Sequence, residues 1–206
     1  MKLFPTLVSE EAADYAGRVR VLSPEVAHRI AAGEVIERPA SAVKELIENS
    51  LDAGAGRVEV EIEDGGVALI RISDDGSGMS PEDARRAVAE HATSKIRTAD
   101  DLASVVSLGF RGEALHAIGA VSSMTLTTRK RGTEDSLGAR VRVFAGEVVE
   151  SATAAHPPGT TVEVRDLFLN LPVRRGFLGT VRADAESVAT TVYAGFRSRL
   201  GKPTGM

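Results

Sequence analysis

The chain has 206 residues and a mass of 21.7 kDa, 43% hydrophobic and 26% charged, with 20 glycines, 8 prolines and no cysteine. At about 100 to 200 residues per domain this holds one large domain, or one domain and a fragment, and the composition is that of a globular chain rather than a disordered or collagenous one. Lack of cysteine excludes disulfide scaffolds, zinc–thiolate sites, thiol catalysis and iron–sulfur clusters, and the net charge of −4 conceals an acidic first half (−7 over residues 1–100) and a basic second half (+3 over 101–206).

Residues 1–20 show no period and read as an N-terminal arm, in which Glu10, Glu11 and Asp14 stand where a secretory signal needs an apolar stretch. A cytoplasmic protein without a membrane span is therefore expected. Ser23-Pro24-Glu25 predicts a short helix running to Gly33. Pro39 and Ser41 begin a second, with Val43, Leu46, Ile47 and Leu51 on one face, Glu45, Glu48, Asn49 and Asp52 on the other, and Gly54 closing it. Val58, Val60 and Ile62 alternate with glutamates as a half-buried strand, and Asp64-Gly65-Gly66 turns it into a second strand over 67–73. Ser80-Pro81-Glu82-Asp83 caps a further helix. The polar stretch from His91 to Gly112 is long for a loop and is expected to be a functional lid. Beyond it, Glu113–Ile118 reads as helix, Met124–Arg129, Ala139–Phe144 and Thr160–Asp166 as strands, and Ala183–Leu200 as a helix with Val188, Val192 and Phe196 on one side. Hairpins with interspersed helices predict an α+β fold, a two-layer sandwich of helices on a mixed, mostly antiparallel sheet.

Motifs for P-loop nucleotide hydrolysis, dinucleotide binding, serine hydrolysis and zinc proteolysis are absent, and His28, His91, His116 and His156 have no metal-ligand spacing. The stripe Glu45, Glu48, Asn49, Asp52 is chemically suggestive. Such stripes are most often solvated faces, yet a carboxylate can activate water while an amide oxygen one turn away binds a hard cation. Asp74 ends an apolar strand before Gly76 and Gly78, placing a hydrogen-bond acceptor at a strand end with room for a ligand to approach, although Asp-Gly also suits an ordinary turn. Thr93, Ser94 and Lys95, and then Gly109, Phe110, Arg111, Gly112 and Glu113 before a helix, offer hydroxyls, a cation and backbone N–H groups to a phosphate.

In order, Glu45-Leu-Ile-Glu-Asn-Ser-Leu-Asp-Ala-Gly54, Asp74-x-Gly-x-Gly78, Thr93-Ser-Lys95, Gly109-Phe-Arg-Gly-Glu113 and Gly159-Thr-Thr161 resemble the ATPase superfamily shared by gyrase, the heat-shock chaperone, histidine kinases and MutL. Ile30-Ala-Ala-Gly-Glu-Val-Ile-Glu-Arg-Pro39 and Gly109-Phe-Arg-Gly-Glu-Ala-Leu115 are similar to MutL-type mismatch repair proteins in particular, over about residues 21–192.

The resemblance implies a Bergerat-type ATP-binding domain over 21–166, with 167–206 as the junction to, and incomplete start of, a second domain. It implies Glu45 as general base, Asn49 as the Mg²⁺ ligand, Asp74 as acceptor from the adenine amine with Thr160 supporting it through water, Gly76 and Gly78 at the nucleotide, and Thr93, Ser94, Lys95 and Gly109–Glu113 as the ATP lid. It implies ATP and Mg²⁺ as bound groups, DNA mismatch repair as the process, and a MutS-type mismatch recognition protein, DNA and a homodimer formed on ATP binding as partners. Three differences from the family carry expectations. Asp75 stands where asparagine is frequent and adds negative charge near the adenine; Leu169 and Leu171 occupy less usual places in the junction; and the 206 residues stop where the family continues into a second domain that supplies a lysine to the γ-phosphate. A truncated form with weak or no turnover is thus expected, the alternatives being a binding-only remnant or another member of the superfamily. Arg129-Lys130-Arg131 and Arg174-Arg175 are the candidates for DNA-backbone contact.

Overall fold

A computed structural model of the chain describes residues 33–89, 113–133 and 137–200, side chains to 197. The N-terminal arm, most of the first expected helix and the 91–112 stretch lie outside the described residues. Within them, helix α1 (Pro39–Asp52) leads to strand β1 (Val58–Glu63) and β2 (Leu69–Asp74), then α2 (Pro81–Ala87), α3 (Ala114–Ala120), β3 (Ser123–Arg129), β4 (Gly138–Phe144), β5 (Glu147–Ala154), β6 (Gly159–Arg165), α4 (Pro172–Gly176) and α5 (Val181–Leu200). The strands form one sheet in the order β1-β2-β6-β3-β4-β5. Expected as mixed and mostly antiparallel, it is antiparallel at all five pairings, because each strand meets its neighbour through a hairpin or a return connection rather than a parallel crossover.

Period 2 in the strands sorts the two faces. Ile70 and Ile72 of β2, Val162 and Val164 of β6, Met124 and Leu126 of β3, and Val141 and Val143 of β4 are buried beneath the helices. From α1, Val43, Leu46 and Ile47 meet them, as the helical period predicts, and α3 adds Ala117 and Ile118. Leu167, Phe168 and Val188, from the segment expected to begin a second domain, belong to this same core, and α5 packs along α1. Burying one such side chain contributes about 1.5–3 kcal/mol.

The other face is charged. Arg71 of β2 bridges Glu61 on β1 and Glu163 on β6 (Nη2–Oε2 2.7 Å), Arg165 adds a bond to Glu163 at 2.7 Å, and Glu150 of β5 accepts from Arg140 (2.6 Å) and Arg142 (3.1 Å) of β4. Apart from Arg165–Glu163, which lies within β6, these pairs cross between strands and help fix the register. One strand limit shifts slightly: β2 starts at Leu69 rather than residue 67, because Asp64–Gly66 form a 3₁₀ turn and residues 67 and 68 are its exit. Strand β5, which the sequence pattern did not reveal, follows a turn with φ of +52° at Ala145 and +95° at Gly146, the signs of a type I′ hairpin. Its pairing with β4 slips at Arg142/Val143, a bulge.

Ser80 caps α2 as expected, its Oγ accepting from Asp83 N at 3.1 Å. Phe168 is the most constrained core residue: wholly buried, it holds φ at +66° while its N–H donates to Val121 O at 2.7 Å. A non-glycine residue in this region is strained by about 1–2 kcal/mol, which burial of the ring offsets. Phe168→Ala is expected to lose about 3–5 kcal/mol of stability in chemical denaturation.

The charged face sets the acid limb of stability. The Arg140 and Arg142 hydrogen bonds hold the Glu150 carboxyl below its usual range. For Glu163 partial burial pushes upward, but the bonds from Arg71 and Arg165 outweigh it and the net shift is downward. A carboxyl lowered in the folded state stabilises above its unfolded pKa, about 4.3, and that contribution is lost as pH falls through the folded value. Stability is therefore expected to drop below about pH 4.3, with a smaller drop for Arg71→Ala and a weaker effect in high salt; urea midpoints between pH 3 and 6 measure this.

Candidate functional site

The apolar face of the sheet turns polar along one row. Asp74 of β2 stands opposite Thr160 of β6, which stands opposite Thr128 of β3, so three polar side chains lie side by side on the face covered by α1. Thr128 and Thr160 are buried, and Asp74 is half-buried. Buried polar groups need partners, and the local structure supplies them. Asp74 Oδ2 accepts from Ser50 Oγ of α1 at 2.9 Å, and Asp74 Oδ1 from Gly76 N at 2.8 Å. Ser50 Oγ also lies 3.1 Å from Leu46 O, but its single proton is held more strongly by the charged acceptor. Thr128 Oγ1 accepts from Met79 N at 3.0 Å, donates to Gly159 O at 2.9 Å and meets Thr160 Oγ1 at 3.0 Å.

Loop 75–79 is stitched to both sides of this row. Ser77 N donates to Ala53 O (2.8 Å), and Arg131 N to Ser77 O (2.8 Å). Gly78 has φ +62°, and a Cβ there would stand 1.9 Å from Arg129 O; at Gly159, with φ +132°, one would stand 2.1 Å from Asp74 O. Neither position admits a side chain. At Gly76 the space a Cβ would need is filled by Ala53 and the Asp74 carboxylate. The glycines that the sequence suggests as room for a ligand thus already have protein against them, which brings the loop backbone tight to β3 and β6.

Asp75 is turned from the row. Its Oδ1 accepts from Gly56 N at 2.7 Å and Arg57 N at 2.8 Å, and these backbone bonds, Arg57 first, hold its carboxyl below the usual range. The Arg131 guanidinium donates to the Asp75 carbonyl. The charge expected beside the adenine is therefore used to latch the α1–β1 connection to the loop, a role that an asparagine oxygen also fills.

The polar stripe of α1 divides. Glu48 pairs with Lys44 at 3.6 Å, an ordinary solvated i,i+4 pair. Glu45 and Asn49 are half-buried, one helical turn apart, and Asn49 adjoins Ser50 in sequence, so the helix that carries them also grips Asp74. Glu113 precedes α3 and its carbonyl accepts from Ala117 N at 2.7 Å. Thr93, Ser94, Lys95, Gly109, Phe110, Arg111 and Gly112 lie outside the described residues. Sequence reasoning missed Ser50 and Thr128, although each continues an apolar pattern with a hydroxyl: Val43, Leu46, Ile47, Ser50 on the helix and Met124, Leu126, Thr128 on the strand.

Among the described residues no three His, Cys, Asp or Glu side chains gather as a metal site, and no helix is long and apolar enough to cross a membrane.

Comparison with known proteins identifies the family. Residues 36–163 match the family described as histidine kinase-, DNA gyrase B-, and HSP90-like ATPase. The chain is 51% identical over 186 residues to the DNA mismatch repair protein MutL of Anaeromyxobacter sp. (strain K), covering 90% of this chain and 30% of that protein. It is 54% identical over 166 residues to MutL of Xanthomonas oryzae pv. oryzae, covering 81% and 26%. The chain thus spans less than a third of the length of these relatives. Among solved structures, the Aquifex aeolicus MutL ATPase domain complexed with ADP superposes with a TM-score of 0.58 at 38% identity, over 77% of this chain and 54% of that one. Helices on one face of an antiparallel sheet, the ordered motifs and these matches together assign the chain to the histidine kinase-, DNA gyrase B- and HSP90-like ATPase family, in its MutL branch.

Proposed function

We propose that this chain binds ATP, as the nucleotide module of a MutL-type mismatch repair protein. The observation that carries the reading is the buried row: Asp74, held by Ser50 and Gly76 N–H, presents acceptors at a strand end where an exocyclic amine can donate. The solved relative bound to ADP has the same fold. A carboxylate in this position selects adenine over guanine, because guanine places a carbonyl where adenine places the amine and two acceptors would then oppose one another.

On this reading Asp74 and Thr160 hold the base, Gly76 and Gly78 shape the loop beside it, and α1 carries the reaction groups toward the phosphates. Glu45 orients and deprotonates the attacking water. Asn49, half-buried on α1, would hold Mg²⁺ through its amide oxygen, a hard neutral donor. When bound, Mg²⁺ supplies charge neutralisation at the phosphates. Thr93, Ser94, Lys95 and the segment Gly109, Phe110, Arg111, Gly112, Glu113 form the lid that donates to the phosphates. Hydrolysis, homodimer formation on ATP binding and contact with a MutS-type protein belong to the same proposal, supported by the identity to MutL proteins.

For DNA we favour Arg174 and Arg175 of α4 over the 129–131 cluster. Arg129 Nε is held by His156 O at 2.6 Å and the Arg131 guanidinium by Asp75 O, so both support loops, whereas α4 lies at the surface.

Asp74→Asn is expected to weaken ATP binding at least about tenfold in calorimetric titration, since it turns an acceptor into a donor, while Glu45→Ala leaves ATP binding intact. Equal affinity of Asp74→Asn and the unmodified chain rejects the adenine role. Replacing Arg174 and Arg175 together by alanine is expected to lower the salt slope of DNA binding by about 2, read from affinities between 50 and 200 mM salt.

A further inference from the structure

Thr128 touches no reaction group in this reading, yet it is wholly buried and its hydroxyl meets three partners. A hydroxyl has one proton and two lone pairs. Gly159 O, a carbonyl 2.9 Å away, can only accept, and Met79 N–H, 3.0 Å away, can only donate. The proton of Thr128 is therefore committed to Gly159 O and one lone pair to Met79. Were that proton turned to Thr160, two oxygens would face each other at 2.9 Å with no hydrogen between them. The remaining lone pair of Thr128 faces Thr160 Oγ1 at 3.0 Å, so Thr160 must be the donor in that pair.

Resting on the adenine site proposed above, we infer that Thr128 is a positioning residue that sets base specificity by fixing the hydroxyl polarity of Thr160. With its proton spent on Thr128, the Thr160 hydroxyl offers only lone pairs, and among the described residues Thr128 is that hydroxyl's one hydrogen-bond partner. A free threonine hydroxyl rotates and serves donors and acceptors alike; this one cannot. Asp74 offers only acceptors as well, Ser50 and Gly76 having supplied the donors to its two oxygens. The row thus presents acceptors from two strands, and a ligand group that touches it directly must donate. An amine at position 6 of a purine satisfies both; a carbonyl there opposes both. The network reaches three segments, since Met79 closes the glycine loop, Thr128 lies next to the last residue of β3 and Gly159 starts β6, so the polarity is set by the fold and precedes any ligand.

The test uses the whole 206-residue chain with Mg²⁺ and two probes, ATP and inosine triphosphate, which carries a carbonyl in place of the amine. Calorimetric titration gives the affinity ratio. The unmodified chain is expected to prefer ATP. Thr128→Val, close in shape but without the hydroxyl, frees Thr160 to rotate and is expected to narrow the ratio about tenfold, whereas Thr128→Ser restores it. A folded Thr128→Val chain with the original ratio overturns the inference. If circular dichroism shows Thr128→Val to be unfolded, Thr160→Val decides: loss of an acceptor-only group weakens ATP and spares inosine triphosphate, while an equal loss for both overturns the inference. An unmodified chain that binds both probes equally overturns the polarity argument alone; one that binds neither overturns the ATP site beneath it.

Discussion

Everything distinctive about this fold depends on a polar row placed in an apolar sheet face. Asp74, Thr160 and Thr128 occupy adjacent strands at one end of a surface otherwise made of isoleucine, valine, leucine and methionine. Such groups are costly without partners, about 1–3 kcal/mol each, and the partners here come from three segments: Ser50 from α1, Gly76 and Met79 from the loop, Gly159 from β6. Satisfying the row therefore positions the helix and the loop. A fold that assembled the core but left the row unpaired would be poorer by several such penalties, which makes the site a condition of folding as well as a product of it.

The loop shows the same economy of parts. Asp75 and Asp74 are neighbours in the chain, but strand geometry points them apart, and they do opposite work. Asp74 faces the helix and remains an acceptor toward the row; Asp75 closes the α1–β1 connection through two backbone N–H groups. Gly78 and Gly159 let the loop press against β3 and β6 so closely that its own backbone, through Met79 N–H, becomes part of the polar network.

How much of this is legible in the sequence follows from the strength of each local signal. Helix α1, its buried face, the β1–β2 hairpin and the Ser80 cap are readable because period, cap and turn agree. The motif residues are readable because their order resembles a family. Strand β5 is not: nearly every residue from Glu147 to Thr153 is exposed, so burial imposes no alternation, and pairing to β4 through its backbone is what makes it a strand. Helix α4 has five residues, too few for a period. Ser50 and Thr128 are hidden for a different reason. Their hydroxyls take places in apolar stripes, where small residues usually only fill space, and their role depends on partners 24 and 31 residues away.

The open ends of the sheet carry a further consequence. Among the described residues β1 and β5 each pair on one side only, leaving a row of backbone groups that could template another strand. On β1 Glu59 and Glu61 are engaged by Arg57 and Arg71 and Glu63 ends the strand, so a strand added there would have to desolvate a row of charged groups. Strand β5 exposes Val148 and Val149 but has Glu147 and Glu150 around them and the bulge opposite Arg142 and Val143, which twists the ribbon away from flatness. Charge along one edge and a bulge at the other thus make both poor templates for a further strand.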